Sequence, residues 1–493
     1  MDFCRIERQQ YPNIGHYIYM SKTHSTNNVP DLNQSRSDTI QETIKSIQNV
    51  LVTWNYSFID TPVLEPAEIF LRKSGEAYTW ETYNLTDSRG ERFALRPEFT
   101  SSVARHILQS ANAEPFPIRK CYAGPVFRND ATNRQQSQFN QVGAELIGVG
   151  GVDADAEVVA LAASALRDGG YPNLKINIGN VGVASNLLKQ FGLSQRTITL
   201  LLSRLDWLTN IEEHAAEIGL QIGRSEQLPS TGSGQSQQEA AQGEAILLSL
   251  LSSNDNQIIG SRSLDEIVER YMKRVGASQN VEQTQLALEF LAELTTIQGT
   301  LEEANHQAKA LVAKWQLDPT SLNWIESFTT AFEHYAVEDI ELTCDFSLTH
   351  DVRYYTGMVF EIVLISDDAT GNIPICSGGR YDMLYRSLGA TDDTPALGFA
   401  ISVETLLNNS PTLDQDLAEH PFKTMGILVV PADLHSVKSA IDYARQIRAL
   451  GERVGILPDS NAVLDLHKYA KANMMNHIRW ISQTGIEKEQ SVD

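Results

Sequence analysis

A strand predicted over residues 138–149 separates polar from apolar side chains by alternation. Gln141, Gly143 and Glu145 share one face with Phe139, while the other face is apolar and is expected to pack into a core. Since a strand rises about 3.3 Å per residue, Gln141 and Glu145 stand roughly 13 Å apart, with Gly143 leaving space between them. An amide and a carboxylate at this separation could hold opposite ends of an amino-acid-sized ligand. A solvated sheet face would show the same alternation.

Two neighbouring segments could add charged and hydroxyl groups to this row. Arg96, Glu98 and Thr100 lie where a predicted strand turns into a helix, although an ordinary turn with Thr100 as helix cap explains them equally well. Arg128 ends the strand before the row, so a hairpin would bring it close. Its guanidinium could bind a carboxylate or a phosphate through two hydrogen bonds.

Three tyrosines could complete a binding site. Tyr354 and Tyr355 precede an apolar strand, and Tyr381 comes soon after Gly378 and Gly379. A phenol hydroxyl both donates and accepts, which suits recognition of an imidazole or an amide, and the two glycines allow the backbone to approach closely. Paired tyrosines are also common in ordinary sheet packing.

Composition and charge exclude several classes of protein. The chain has 493 residues, 42% of them apolar, so it can bury large cores. Its 62 acidic residues against 39 Lys and Arg give a formal charge of -23, which disfavours loose, charge-driven binding of nucleic acid. No signal-peptide-like start and no run of about 18 apolar residues occur, which predicts a cytoplasmic chain. Four distant cysteines without a CxxC pair predict reduced thiols and no metal site.

Hydrophobic periodicity and turn residues predict the elements that position these side chains. Strands are expected over residues 57–63, 118–128, 138–149, 173–178, 341–348, 357–365 and 396–402. Helices are expected over 38–54, 100–109 and 155–169, the last capped by Asp153 or Asp155. In the C-terminal part, strands at 425–430, 453–457 and 477–481 alternate with helices at 436–450 and 462–473.

Changes in composition divide the chain into three parts. Residues 1–30 form an N-terminal extension, residues 31–410 a core, and residues 422–485 a small α/β domain. Within the core, about residues 183–335 are rich in Leu, Ala, Glu and Gln, which predicts a helical insertion with a flexible loop at 225–243.

In this order, the segments resemble class II aminoacyl-tRNA synthetases of the histidyl type. The resemblance spans about residues 38–407 and rests on motifs at residues 95–100, 124–128, 139–145, 354–357 and 378–382. The C-terminal domain, whose first strand closes with Val429-Val430-Pro431, is similar to the anticodon-binding domain of those enzymes. The resemblance implies an α+β fold with a class II aminoacyl-tRNA synthetase-like core, a mainly antiparallel sheet flanked by helices. It also implies dimerisation through this core.

At the positions that hold ATP and the end of the tRNA in those synthetases, this sequence has lost positive charge. His350 stands where an Arg promotes amino-acid activation, and Thr405 where an Arg clamps the γ-phosphate. In the hairpin loop Arg134 is kept, but Gln135 and Ser137 replace further arginines. The loss of one such donor costs about 10²-fold or more in rate, so we expect no synthetase activity.

The remaining pattern resembles the regulatory subunits of ATP phosphoribosyltransferase, synthetase-like proteins without aminoacylation activity. This resemblance implies a histidine pocket formed by Glu98, Thr100, Arg128, Gln141, Glu145, Tyr354, Tyr355 and Tyr381. It implies a protein without catalytic residues or cofactor that activates a short catalytic subunit. Through that subunit it would relay feedback inhibition by L-histidine at the first step of histidine biosynthesis. The expected partners are the catalytic subunit and a second copy of this chain, in a hetero-oligomer, and neither tRNA nor a membrane is expected.

Two other functions stay open. A divergent histidyl-tRNA synthetase could use His350 or Arg353 in place of the usual Arg, form histidyl-adenylate and charge tRNA. A pure interaction scaffold could instead keep a vestigial pocket. Histidine-dependent exchange of pyrophosphate into ATP would identify the enzyme, whereas activation of a phosphoribosyltransferase without histidine binding would identify the scaffold.

Overall fold

The computed structural model describes residues 34–74, 82–110, 114–129, 137–202, 281–337, 340–348, 355–365, 372–409, 426–458, 463 and 465–492. Several predictions fall outside these residues: the N-terminal extension, the loop at 225–243, Arg134, Gln135, His350, Arg353 and Tyr354.

The described strands are β1 (Ser57–Phe58), β2 (Leu64–Pro66), β3 (Asn84–Thr86), β4 (Arg92–Leu95), β5 (Ile118–Phe127), β6 (Gln138–Ile147), β7 (Leu174–Asn180), β8 (Gln298–Thr300), β9 (Glu341–Asp345), β10 (Met358–Leu364), β11 (Ile373–Arg380), β12 (Ala396–Ser402), β13 (Gly426–Pro431), β14 (Arg453–Ile456), β15 (Met475–Ser482) and β16 (Gly485–Ser491). The described α-helices are α1 (Gln34–Thr53), α2 (Ala67–Ser74), α3 (Thr100–Gln109), α4 (Val152–Arg167), α5 (Val181–Lys189), α6 (Gln195–Leu202), α7 (Val281–Leu294), α8 (Leu301–Lys314), α9 (Asn323–Glu333), α10 (Leu384–Ser387), α11 (Val403–Asn409), α12 (Val437–Arg448) and α13 (Leu466–Ala472).

A nine-stranded sheet organises the larger part of the chain, in the order β1-β5-β6-β12-β11-β10-β7-β9-β8. β1 pairs parallel with β5 and β7 with β9, while the other neighbours are antiparallel. The expected sheet, mainly antiparallel and flanked by helices, is therefore confirmed. Its register places Glu145 of β6 between Lys120 of β5 and Gly398 of β12.

One face of this sheet carries the main core. Val142, Ala144 and Leu146 of β6 belong to the same buried cluster as Ile47 of α1 and Leu161 of α4. The predicted apolar face of β6 is confirmed, and α1 and α4 bury it. α4 is rich in Ala and Val and buried along most of its length, as expected for a helix that is apolar on all sides.

The start of α4 differs from the prediction. The helix begins at Val152 rather than at residue 155, so Asp153 and Asp155 lie inside its first turn and neither is the cap. Gly151, with φ of 88°, precedes the helix without a side-chain cap. The Asp155 carboxylate instead accepts a hydrogen bond from Arg380 Nε at 2.9 Å. Asp155 therefore binds the charged side chain of Arg380, at the end of β11, instead of capping the helix.

The region predicted as a helical insertion contains one described strand. α5 follows β7 directly, and α6 to α9 account for most of the other described residues of this region. β8, which the composition did not predict, pairs antiparallel with β9 and forms the edge of the large sheet. It ends at Thr300, whose hydroxyl caps α8 in a reciprocal capping box with Glu303.

The C-terminal part forms a second sheet in the order β14-β13-β15-β16. β13 pairs parallel with β14 and β15, as the alternating strands and helices predicted. β16 was not predicted and adds an antiparallel edge strand. α13 begins at Leu466 because Asp465 caps it, accepting from the Lys468 backbone N–H at 3.0 Å, so it is shorter than the expected helix.

A buried ion pair joins the two sheets. Arg119 of β5 donates to both carboxylate oxygens of Glu157 in α4, each at 2.9 Å. The same guanidinium donates to the Ile456 carbonyl at 3.1 Å and to the Tyr469 hydroxyl at 3.3 Å, both in the C-terminal part. Tyr56 donates its hydroxyl to Glu157 at 3.3 Å. Since both charges are buried, each requires the other to remain ionised.

Three cysteines, Cys121, Cys344 and Cys376, are free thiols buried in the core. Burial raises the pKa of Cys121 and of Cys344 to about 12. In the residues described, no group of His, Cys, Asp and Glu could hold a metal ion. None of the described helices is both long enough and apolar enough to cross a membrane.

We expect Arg119→Met to lower the free energy of unfolding by about 3–5 kcal/mol, because it leaves the buried Glu157 carboxylate without its cation. Urea denaturation followed by circular dichroism measures the change. Lys314→Met serves as control, since it breaks the exposed Lys314–Glu293 pair, for which a loss of about 1 kcal/mol or less is expected. Equal losses in the two variants would contradict a structural role for the buried pair.

Candidate functional site

The carboxylate of Glu145 lies at the centre of a polar cluster on the second face of the large sheet. Glu145 is buried, with 1% of its surface exposed. Oε1 accepts from the Thr100 hydroxyl at 2.7 Å and from the Tyr122 hydroxyl at 3.3 Å, and Oε2 accepts from the Tyr381 hydroxyl. Gln141 on the same strand face is also buried. The alternative of a solvated sheet face is therefore wrong.

The start of α3 brings two of the predicted residues into this cluster. Thr100 is the first residue of the helix and turns its hydroxyl toward Glu145, so it does not act as the side-chain cap. Glu98 lies just before the helix and accepts from the Ser101 backbone N–H at 3.2 Å. A carboxylate at this position is stabilised by the positive end of the helix dipole.

Glycines opposite Glu145 create room for the tyrosines. Gly398 is the direct neighbour of Glu145 across the strands, and Gly379 is the neighbour of Gly398. A Cβ at Gly398 would collide with Oε2 of Glu145, and a Cβ at Gly379 would lie 2.8 Å from the ring of Tyr355. The Tyr355 ring therefore lies over Gly379, two strands away from Glu145. Of the two paired tyrosines predicted for the site, Tyr355 is the one within the described residues.

Gln141 offers a second acceptor on the face of Glu145. It lies opposite Gly124 of β5 and is 6% exposed. Its Oε1 is buried without a hydrogen-bond partner among the described residues. Buried polar atoms almost always have a partner, so this oxygen is suited to accept a hydrogen bond from a bound ligand.

Arg128 lies at the rim of the cluster, just beyond the end of β5. Its Nε donates to the Pro97 carbonyl at 3.2 Å, and its guanidinium carbon lies 5.2 Å from the centre of the Phe139 ring. The residue is exposed. Arg128 therefore lies beside the turn that contains Glu98, close to the polar row as the predicted hairpin implied. Its guanidinium faces solvent, where it would be accessible to the carboxylate of a ligand.

Two residues were missed from the sequence: Tyr122 within the cluster, and Arg380, which supports it from the opposite face of the sheet. Tyr122 donates to Glu145, and its place opposite Gly143 on the hairpin could have indicated this. Arg380, next to Tyr381, binds the buried carboxylate of Asp155 at 2.7 Å. Burial opposes its charge, but the carboxylates of Asp155 and Asp382 raise the pKa of Arg380. No sequence signal pairs Arg380 with Asp155, because the two residues are far apart along the chain.

Two of the positions at which the resemblance implies an arginine, Ser137 and Thr405, lie within the described residues. The Thr405 hydroxyl pairs with the Ser402 hydroxyl at 2.8 Å. Its neighbour Glu404 accepts from the backbone and side-chain nitrogens of Asn140, both at 2.7 Å. Ser137 closes the hairpin by accepting from the Arg128 backbone N–H at 3.0 Å. Hydroxyl residues therefore stand at both of these positions, and Glu404 lies beside one of them.

The family model described as Histidyl-tRNA synthetase matches residues 28–250 and 256–406. The chain belongs to this family. Other members named as ATP phosphoribosyltransferase regulatory subunits include those of Desulfitobacterium hafniense (strain Y51), 27% identical over 84% of this chain and 86% of the relative, and Moorella thermoacetica, 27% identical over 92% and 97%. A Histidine--tRNA ligase of Methanococcus vannielii is 26% identical over 84% of this chain and 81% of the relative.

Solved structures of the histidyl-tRNA synthetase family share the fold. A protein from Bacillus halodurans described as an ATP phosphoribosyltransferase regulatory subunit/histidyl-tRNA synthetase superposes with a TM-score of 0.55 at 23% identity, covering 94% of this chain and all of its own (100%). A histidyl-tRNA synthetase from Nostoc sp. PCC 7120 gives 0.53 at 20% identity, covering 97% and 98%. At these identities the likeness concerns the fold alone.

We expect Gly398→Ala to lower the free energy of unfolding by about 1–3 kcal/mol, because the added methyl group must displace the Glu145 carboxylate. Thermal and urea denaturation measure this change. Gly150→Ala is the control, since the nearest atoms to its Cβ are those of Pro395 at 3.8 Å and the expected change is within about 0.5 kcal/mol. A neutral Gly398→Ala would mean that Glu145 is not fixed as described.

Proposed function

We propose that this chain is a non-catalytic regulatory subunit of ATP phosphoribosyltransferase. In this role it binds L-histidine in the Glu145 pocket, activates a short catalytic subunit and relays feedback inhibition at the first step of histidine biosynthesis. The observation that carries the proposal is the buried polar cluster around Glu145, in which the Gln141 amide oxygen has no hydrogen-bond partner among the described residues. The relatives named as regulatory subunits, matched over most of their length, support it. We place this activity in the cytoplasm.

The chemistry of the pocket suits histidine. Glu145 and the Gln141 amide oxygen are acceptors for an imidazole N–H or an ammonium group, and Glu98 adds a second carboxylate. Arg128 at the rim would bind the ligand carboxylate. The hydroxyls of Thr100, Tyr381, Tyr355 and, from the sequence, Tyr354 would complete the set. An amphoteric ring needs both donors and acceptors, and hydroxyls supply both.

The absence of catalysis is proposed from electrostatics. Adenylate formation places negative charge on phosphates, and preorganised cations usually provide the largest part of its stabilisation. Thr405, which stands where the resemblance implies an Arg, instead pairs with the Ser402 hydroxyl. Regulation by histidine then requires an energetic coupling between this pocket and the catalytic subunit, and linkage makes that coupling reciprocal.

We expect the complex of this chain with its catalytic subunit to bind histidine, and Glu145→Gln to weaken binding by about 10-fold or more. A hydrogen bond to a charged group contributes about 1.5–3 kcal/mol, and the substitution removes the charge without changing the shape. Isothermal titration calorimetry measures both. Glu489→Gln is the control, because this carboxylate in the C-terminal part also accepts a hydrogen bond, from Arg479 at 2.8 Å, and lies outside the pocket. No binding by the wild-type complex, or equal effects of the two variants, would contradict the proposal.

A divergent histidyl-tRNA synthetase is the second candidate. The observation in its favour is the similar identity to the Histidine--tRNA ligase of Methanococcus vannielii. Histidine-dependent exchange of pyrophosphate into ATP separates the two functions, since only a synthetase forms an adenylate. Robust exchange by the purified chain would overturn the regulatory proposal.

Self-association as a dimer is part of the proposal. The small sheet in the order β2-β4-β3 buries one face against α2, where Ala94 packs with Phe70. Its register places apolar side chains on the opposite face: Leu64, Pro66, Leu85, Phe93 and Leu95. Leu64 and Leu85 are 46% and 49% exposed. A contiguous apolar face of this kind is typical of an interface, and the resemblance to dimeric synthetases favours a second copy of this chain.

We expect the chain to sediment as a dimer and Leu85→Asp to shift it toward monomer at micromolar concentration, because a buried, unpaired carboxylate opposes association. Analytical ultracentrifugation measures the distribution. Leu434→Asp is the control, as Leu434 is 86% exposed in the C-terminal part. A monomeric wild-type chain, or a dimer unaffected by Leu85→Asp, would contradict this interface.

A further inference from the structure

Thr356 is the residue after Tyr355, and it bonds to the residues on both sides of Tyr381. Its backbone N–H donates to the Arg380 carbonyl at 2.7 Å, and its hydroxyl donates to the same carbonyl at 3.3 Å. The hydroxyl oxygen also accepts from the Asp382 backbone N–H at 3.1 Å. A hydroxyl has one proton to donate and lone pairs that accept, so both of its bonds can form together. Thr356 therefore joins the segment of Tyr355 to the segment of Tyr381.

The segment of Tyr381 is also held by the start of β12. The Tyr381 N–H donates to the Ala396 carbonyl at 2.7 Å, and the Ala396 N–H donates to Oδ1 of Asp382 at 3.0 Å. These bonds fix the neighbourhood of Tyr381 without any contribution from Thr356. The bonds of Thr356 consequently determine where Tyr355 lies relative to that fixed segment.

Two glycines let the chain around Tyr355 lie close to β11. A Cβ at Gly357 would be 3.0 Å from Cδ of Arg380, and a Cβ at Gly379 would be 2.8 Å from the Tyr355 ring. Tyr355 also packs against the buried cluster that contains Tyr381. Side chains at the two glycines would push the segments apart, so close packing and the bonds of the preceding residue act together to hold the two tyrosines as one unit.

We propose that Thr356 is a positioning residue whose hydroxyl fixes Tyr355 relative to Tyr381, and that histidine binding depends on this spacing. The inference rests on the proposed function and extends it to a residue that acts through the two tyrosines. Tyr381 in turn donates to the carboxylate of Glu145. Side chains that recognise a ligand must be held to within about 0.5 Å, so a ligand that contacts both tyrosines loses affinity when their spacing varies.

The first test separates the hydroxyl of Thr356 from its shape. Thr356→Val keeps the shape and removes the hydroxyl, whereas Thr356→Ser keeps the hydroxyl. In the complex with the catalytic subunit, calorimetry should show a histidine affinity about 3- to 10-fold lower in Thr356→Val, as for loss of a hydrogen bond, and within about 2-fold of wild type in Thr356→Ser. Equal losses in the two variants, or no loss in Thr356→Val, would overturn the inference.

Thr343→Val is the matched control. The Thr343 hydroxyl also joins two neighbouring strands, since it donates from β9 to the side-chain oxygen of Asn177 on β7 at 2.7 Å. It lies outside the proposed pocket, so its loss should leave histidine affinity within about 2-fold of wild type. A loss as large as that of Thr356→Val would mean that removing any such hydroxyl weakens binding, and would overturn the positioning role.

The second test needs no ligand. The full chain is labelled with 3-fluorotyrosine, and fluorine NMR signals are assigned with Tyr355→Phe and Tyr381→Phe. We expect Thr356→Val to shift and broaden the Tyr355 signal, and Thr356→Ser and Thr343→Val to leave it as in wild type. A hydroxyl that only stabilised the fold would leave this signal unchanged in the folded variant.

Failure of the proposed function is recognised separately, because the wild-type complex would then bind no histidine. In that case a shifted Tyr355 signal in Thr356→Val still supports the positioning role, and an unchanged signal overturns it. Should Thr356→Val not fold, Thr356→Cys places a weaker donor and acceptor at the same position. It should shift the Tyr355 signal in the same direction, and an unchanged signal would again overturn the inference.

Discussion

A carboxylate buried within a sheet requires hydrogen-bond donors, and Glu145 imposes this requirement on its surroundings. The donors come from three separate places: the start of α3, the strand β5 and the residue that follows β11. Gly398 and Gly143 are needed because side chains there would occupy the space of the carboxylate and of the Tyr122 phenol. The order of strands β5-β6-β12-β11 brings these groups together, so the sheet topology and the polar cluster depend on each other.

The first two turns of α4 support this arrangement from the opposite side of the sheet. Asp155 binds Arg380, the residue before Tyr381, and Glu157 binds Arg119, the residue before the neighbour of Glu145 on β5. Arg119 in turn binds the C-terminal sheet. Asp155 and Glu157, two buried carboxylates of one helix, thus fix the end of β11, the start of β5 and the C-terminal part relative to one another. Allosteric coupling between a ligand site and a partner subunit would need such a rigid connection.

Under the proposed function, a site for an amino acid persists in a protein without ATP chemistry, and hydrogen bonding gives a physical reason for this. The hydroxyls and carboxylates around Glu145 form hydrogen bonds within the protein, and these stabilise the fold whether or not a reaction follows. Cations that bind a polyphosphate do not stabilise the fold in the same way. Thr405, at one of the positions where the resemblance implies an Arg, pairs with the neutral Ser402 hydroxyl. The acidic balance of the whole chain agrees with this local loss of positive charge.

Alternation, turn residues and ordered motifs in the sequence determined the family, the mainly antiparallel sheet and the apolar face of β6. They also gave most of the residues proposed for the pocket: Glu98, Thr100, Arg128, Gln141, Glu145, Tyr355 and Tyr381. These features follow from local periodicity or from motifs that are contiguous in the chain. Only the tertiary structure decided that Asp155 binds Arg380 instead of capping α4, that β8 joins the sheet edge, and that Tyr122 bonds to Glu145. Each of these contacts joins residues distant in sequence, and a buried charge or hydroxyl takes the partner that the packed fold supplies rather than the one nearest along the chain.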